Sequence, residues 1–335
     1  MKKVSIIIPV YNMEDWVESG IKCITEQTYE NLEIIIIDDG SKDGSYMKCL
    51  AEADKDRRIA VFGKNNEGPG AARNLALRKA TGDYIYFDID DYLEKNAIEK
   101  FVRYMENENT DLVVCSFSMF DGEKVFRTVK KADGLKRTGG DARKDYYEHM
   151  FMYGERGIQG AAWFKLYKTD IIRKNGIEFP KLRKSEDDVF VARYVNCIDS
   201  FYMTGDVLCR YYVNSYKRFW DKYRFDIFDT SRQSTMYVKD IVLSWNGNNK
   251  DVLQRIYDDY FHKTFGSFCF LFNPNLKLNR KARYARLKEI TDIFMDDISC
   301  DGIEINHPIF KCMKKKKYRA IYVRIVLHIW KHKFD

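Results

Sequence analysis

"LEIIIIDDGS", residues 32–41, runs four isoleucines into two adjacent carboxylates and an Asp-Gly turn. The isoleucines read as a continuously apolar strand, and Ser41 is placed to cap a helix after the turn. The same succession of strand, polar end and helix recurs on both sides. Before it, "VSIIIPV" (4–10) is a strand and "EDWVESGIKCITEQ" (14–27) a helix with Trp16, Val17, Ile21 and Ile24 on one side. After it come a helix through about residue 55, the strand "RIAVFG" (58–63), the loop and helix "GPGAARNLALRKATG" (68–82) and the strand "DYIYFDIDD" (83–91). Another helix leads to "DLVVCSF" (111–117). This alternation implies an α/β fold, with a mostly parallel central sheet flanked by crossover helices. Ligands of such sheets bind beyond the carboxyl ends of the strands, where residues 9–12, 38–41 and 88–91 all fall.

From 118 to 215 the pattern is mixed, with helices near 141–153 and 186–197 and short strands near 163–167 and 207–213. Beyond 216 it is helical and rich in Phe and Tyr; "YDDYFHKTFGSFCFLF" (257–272) reads as a core helix. The 335 residues, 45% apolar and 32% charged, describe a soluble globular chain. No run approaches the ~18 apolar residues of a membrane-spanning helix. The apolar start is too short for a signal peptide, so a cytoplasmic location is expected. Eight cysteines without a C-x-x-C pair read as reduced, mostly buried thiols. His328 and His332 read as surface residues. The net charge of +7 is concentrated in residues 311–335, which hold nine Lys or Arg against the single Asp335. The rest of the chain is nearly neutral. A nucleic-acid-binding protein carries its basic stripe on the folded domain, so nucleic acid is not expected as a partner and the charged end suggests a tether.

The carboxylates carry the chemistry. In Asp88-Ile89-Asp90 the two aspartates share one face of an extended chain. Crowded like charges raise each other's pKa unless a cation or donors compensate, so a hard divalent ion holding a diphosphate fits them; the alternative is a solvated acidic turn. Asp38 and Asp39, beside Pro9, Val10, Tyr11 and Asn12, suit a base and ribose, Asp39 accepting from a nucleobase N–H; the alternative is an ordinary strand end and turn. "NEGPGAARN" sets Gly68 before a helix whose first turn carries Arg73, a phosphate contact or a plain helix start. "KSEDDVF" (184–190) opens a helix with three acids, which are favoured there electrostatically or supply a general base.

As a set, "VSIIIPVYN", "IIIIDDGSKDGS", "NEGPGAARN", "YIYFDIDD", "WFKLYK" and "SEDDVF" resemble, over residues 1–215, the family 2 glycosyltransferases of bacterial surface-polysaccharide synthesis. The resemblance implies a GT-A fold and an inverting hexosyltransferase that moves a sugar from a UDP-sugar to a saccharide or lipid-linked saccharide. It also implies Mn²⁺ or Mg²⁺ as cofactor. Carried over by position, Pro9, Val10, Tyr11 and Asp39 frame the uracil, Asp88 faces ribose or metal, and Asp90 is the principal metal ligand with Asp91 beside it. Asp187 is the base, with Glu186 next to it. The expected organisation is a nucleotide-sugar-binding half (1–117), an acceptor-binding half (118–215), a helical C-terminal extension (216–310) and a basic amphipathic tail (311–335).

Two readings of "KKKKYRAIYVRIVLHIWKHKF" stay open: contact with an anionic membrane surface, which would make the protein peripheral on the inner face of the cell membrane, or a terminal helix packed on the body. A dehalogenase-like phosphatase is disfavoured because Asp38 and Asp39 are adjacent. A sugar-nucleotide pyrophosphorylase is disfavoured because "PVYNMED" lacks a Gly-rich basic loop. The non-enzymatic alternative is a degenerate nucleotide- or membrane-binding module of the same fold.

Overall fold

The structure is a computed structural model that describes residues 1–87, 92–149, 155, 157–158, 160–182, 185–213, 226–246, 250–298 and 302–331. It divides into two compact units, Met1–Asn214 and Ser215–Asp335.

The first unit is built on the apolar runs. Strands β1 (Val4–Val10), β2 (Leu32–Asp38), β3 (Ile59–Gly63) and β4 (Tyr84–Phe87) pair in parallel in the order β3-β2-β1-β4. Every residue of β1 is buried, which accounts for its lack of alternation. Helices α1 (Val17–Thr25), α2 (Ser45–Ala53) and α3 (Pro69–Lys79) make the crossovers. Helix α1 is shorter than its sequence pattern because the Met13 and Glu14 N–H groups donate to Ser45 Oγ (2.7 Å) and Asp43 Oδ2 (3.3 Å) in the next βα turn. Strand β2 stops at Asp38, whose Oδ2 accepts from the Gly40 and Ser41 N–H groups. Gly40 has φ +74°, and a Cβ there would lie 2.9 Å from Asn66 N, so the turn demands glycine.

The sheet then continues β4-β9-β6-β10-β5, where β5 is Tyr92–Leu93, β6 Leu112–Phe120, β9 Lys165–Lys168 and β10 Ser200–Tyr212. Strand β9 is antiparallel to both neighbours, while β6 and β10 are parallel. Strand β10 starts seven residues before the strand expected near 207–213. Gly205 and Asp206 form a bulge inside the strand, where the register against β6 shifts between Thr204 and Val207. Strands β7 (Val125–Val129) and β8 (Leu135–Thr138), not foreseen in the sequence, pair with β6 and β10. Helices α4 (Ala97–Asn107), α5 (Gly140–His149), α6 (Thr169–Lys174) and α7 (Glu186–Cys197) complete the unit.

The second unit is helical: α8 (Ile227–Asn246), α9 (Lys250–Phe270), α10 (Arg280–Ile298), α11 (Pro308–Lys314) and α12 (Tyr318–Lys331). Its core joins Tyr257, Tyr260, Phe261 and Phe268 of α9 to Leu287, Ile290 and Phe294 of α10, so the aromatic run is core helix as expected. Ile321 and Ile325 of α12 enter the same core, packing the end of the chain onto this unit. No helix among the described residues is long and apolar enough to cross a membrane. The seven cysteines described are free thiols.

Candidate active site

The carboxyl ends of β1 and β2 meet side by side, Val10 level with Asp38. Tyr11 is 43% exposed there, whereas Val10 is buried. Asn12 has left-handed backbone (φ 50°) and is tied to the neighbouring turn, donating from N to Ser41 Oγ and accepting at Oδ1 from Lys42 N (2.8 Å). Asp38 is 4% exposed and keeps one buried oxygen, Oδ1, without a hydrogen-bond partner.

Asp39, expected to meet a base, is only 2% exposed and already engaged. Its Oδ1 accepts from Lys64 Nζ (2.8 Å) and Glu67 N (3.0 Å), its Oδ2 from Gly68 N (2.7 Å). The carboxylate therefore closes the loop from β3 to α3, and the Gly68 N–H is spent inside the protein rather than aimed at a phosphate. Asp88, Asp90 and Asp91 lie outside the described residues; β4 reaches Phe87, level with Ile7 of β1.

Arg73 departs from its sequence reading. It is 2% exposed, and its Nη1 donates to Glu186 Oε1 (2.8 Å) and Asp187 Oδ1 (2.9 Å), so the expected phosphate contact gives way to a clamp on the Glu-Asp pair. The next residue completes the docking: Asn74 Nδ2 donates to Phe179 O (2.9 Å), and Phe179 N to Asn74 Oδ1 (2.8 Å). Gly70 keeps the approach close, since a Cβ would lie 3.2 Å from Glu186 Cγ and from Phe179 Cβ. The helix start in "NEGPGAARN" thus seats the chain that carries Glu186 and Asp187.

Charge is shared unevenly in this cluster. Burial opposes the charge on Arg73, but Asp187 and Glu186 outweigh it and hold the guanidinium more firmly protonated. Burial pushes the Glu186 carboxyl up to about 7, Asp187 adding to the rise and Arg73 opposing it. One cation beside two carboxylates leaves the more buried of them ready to keep a proton.

Asp187 is the more open partner, its side chain 20% exposed. Its Oδ2 accepts from Ala162 N (3.3 Å), and the carbonyl of that same peptide group, Ala161 O, accepts from Lys165 Nζ (2.6 Å). Lys165 is fully buried, and burial, with Lys131 nearby, holds its amine well below the ordinary lysine range. Burial likewise brings Lys131 down to about 8. Nothing in "WFKLYK" marks this lysine as buried; its burial follows from the place of β9 between β4 and β6 inside the sheet.

Asp187 lines a cavity of about 330 Å³ with Phe117, Met119, Trp163, Glu186 and Tyr211 among its walls. Trp163 stacks on Tyr211 (centroids 5.1 Å, planes 14° apart) and meets Phe117 edge-on at 4.8 Å. Two further lining residues, Phe164 (φ 52°) and Ser185 (φ 59°), have left-handed backbone. A carboxylate braced by an arginine and a peptide N–H, beside a flat apolar wall, can take a proton from a hydroxyl of a bound ring.

The model of the family described as "Glycosyl transferase family 2" matches residues 5–174, about half of the chain. The chain belongs to glycosyl transferase family 2. As in that family, the first unit is a GT-A domain. Among curated relatives of this family 2 chain, "Putative glycosyltransferase EpsH" of Bacillus subtilis is 33% identical over 194 residues, 57% of this chain and 55% of EpsH. "Cholesterol galactosyltransferase" of Borreliella burgdorferi is 31% identical over 217 residues, 61% of this chain and 60% of that protein. The chain thus spans less than two thirds of either relative. Among solved structures, S. aureus TarS 1-349 in complex with UDP-GlcNAc superposes with a TM-score of 0.68 at 18% identity, covering 98% of this chain and 92% of that one. At that identity the likeness concerns the fold.

Proposed function

We propose that this family 2 chain transfers a sugar, with inversion, from a UDP-sugar to a hydroxyl of a saccharide or lipid-linked saccharide in the synthesis of surface polysaccharide. The observation that carries the reading is Asp187, held by Arg73 and Ala162 N–H at the wall of an aromatic cavity in a GT-A domain. The complex of TarS with UDP-GlcNAc, a protein of the same fold, supports the choice of donor. Free cysteines accord with a reducing, cytoplasmic setting.

Asp187 accepts the acceptor hydroxyl's proton as the oxygen attacks the anomeric carbon from the face opposite the diphosphate. Arg73 and the Ala162 peptide fix the carboxylate so that it need not reorganise during attack. Trp163, with Tyr211 behind it, offers a flat face to the acceptor ring and excludes water from one side. Tyr11 lies open beside β2 to cover the base of the donor. Asp88 and Asp90, with Asp91, supply hard oxygen donors directly after β4, a set whose chemistry suits Mn²⁺ or Mg²⁺. When bound, such an ion offsets the charge that grows on the departing UDP.

Calorimetric titration with UDP, GDP and CMP, each with Mn²⁺ and with chelator, tests the donor assignment. The expected outcome is UDP binding that chelator abolishes and that a folded Asp90→Ala variant loses. Undiminished UDP affinity in that variant would remove the metal from the account, and absence of UDP binding would remove the donor.

A further inference from the structure

Helix α12 has two apolar faces. On the inner one, Ile321 and Ile325 are fully buried in the helical core, with Tyr318, Tyr322 and Ile329 packed at its margin. On the outer one, Val323, Val326, Leu327 and Trp330 are 53%, 40%, 57% and 65% exposed. Their spacing of three, four and seven residues makes one stripe, and at 100° per residue that stripe lies opposite Ile321 and Ile325. A helix serving only its own core would carry polar residues there. Exposed cations border the stripe instead: Arg319, Arg324 and Lys331 on the helix, and residues 314–317, all lysine, just before it. From residue 305 to 331 the sequence contains no Asp or Glu.

We propose that this outer face docks on an anionic lipid bilayer, its four apolar side chains entering the headgroup boundary while the lysines and arginines meet lipid phosphates. The combination of apolar stripe and one-signed border is what an interfacial helix requires. A second copy of the chain is a poorer occupant. A twofold contact would bring two identical basic borders together, and four side chains fall far short of the roughly 20–30 residues a side of a stable interface. The proposal stands apart from sugar transfer, since it needs no donor and no residue of the GT-A unit.

The test is co-sedimentation of the full chain with vesicles of phosphatidylcholine alone or of equal parts phosphatidylcholine and phosphatidylglycerol. Wild type is expected on the anionic vesicles only, with binding that weakens as salt is raised. The exposed pair Val323→Asp/Leu327→Asp is expected to lower binding roughly tenfold or more while keeping the wild-type melting temperature and UDP affinity. A second variant, residues 314–317 changed to glutamine, should bind the anionic vesicles more weakly and with a smaller salt dependence, since Arg319, Arg324 and Lys331 remain. Failure of wild type to sediment, or undiminished sedimentation of the Asp pair, would overturn the proposal. So would a concentration-dependent dimer in solution that the Asp pair dissociates, which would assign the face to a second copy.

Discussion

One guanidinium serves two carboxylates at Arg73, and the consequence is measurable in stability. Glu186 has a folded pKa of about 7 against an ordinary value of 4.5, with burial the main cause. Between those values the folded protein retains a proton that the unfolded chain has released, so folding weakens as pH rises. The contribution is complete below about 4.5 and gone once pH has passed about 7. Asp43, Asp56 and Asp83 are shifted downward and act with the opposite sign at more acid pH, stabilising as pH rises. Urea denaturation of wild type and Glu186→Gln across pH 4.5–7 isolates the effect: wild type should lose stability relative to the variant through the window, while His307, whose pKa burial lowers, adds the same opposing rise to both. Equal slopes would mean that Glu186 shares its charge with Arg73 throughout and holds no proton.

Glycines fix how closely the elements approach, and two of them make contrasting predictions. A Cβ on Gly160 would stand 1.7 Å from Asp188 Oδ1 and 2.8 Å from Asp188 Cα, so Gly160→Ala must push the cavity wall away from the first turn of α7. On Gly82 it would stand 2.7 Å from Ser5 N and 2.9 Å from Lys3 O, at the start of β1 and far along the strand from its carboxyl end. Both substitutions should cost about 1–3 kcal/mol in denaturation. Only Gly160→Ala should also lower transfer per folded molecule, and equal kcat losses in the two variants would contradict the placement of the site. The elements that were legible in the sequence are the ones whose own residues settle them. The isoleucine runs of β1 and β2 and the polar ends after them needed no partner to be read. The missed features depend on distant chain: Arg73 meets Glu186 across 113 positions, Asn74 meets Phe179 across 105, and the Gly205-Asp206 bulge is a strand only because β6 runs beside it. The engagement of Asp39 by Lys64 and the Gly68 N–H is of the same kind and was not legible either.

Across the whole molecule, the family 2 domain holds the strand edge, the Glu-Asp pair and the cavity in one unit, while the basic, two-faced helix belongs to the other. Donor chemistry can therefore be examined without knowing the natural acceptor, because water can replace the acceptor hydroxyl. The most direct measurement is proton NMR of a panel of UDP-sugars incubated with the protein and Mn²⁺, following the anomeric proton of the released sugar at early times. The released sugar should appear first in the configuration opposite to that of the donor, and Asp187→Asn should slow its release by about 10²–10⁴ while UDP affinity is unchanged. Release with retained configuration, or undiminished release by Asp187→Asn, would contradict the assignment of Asp187 as the base of an inverting transfer.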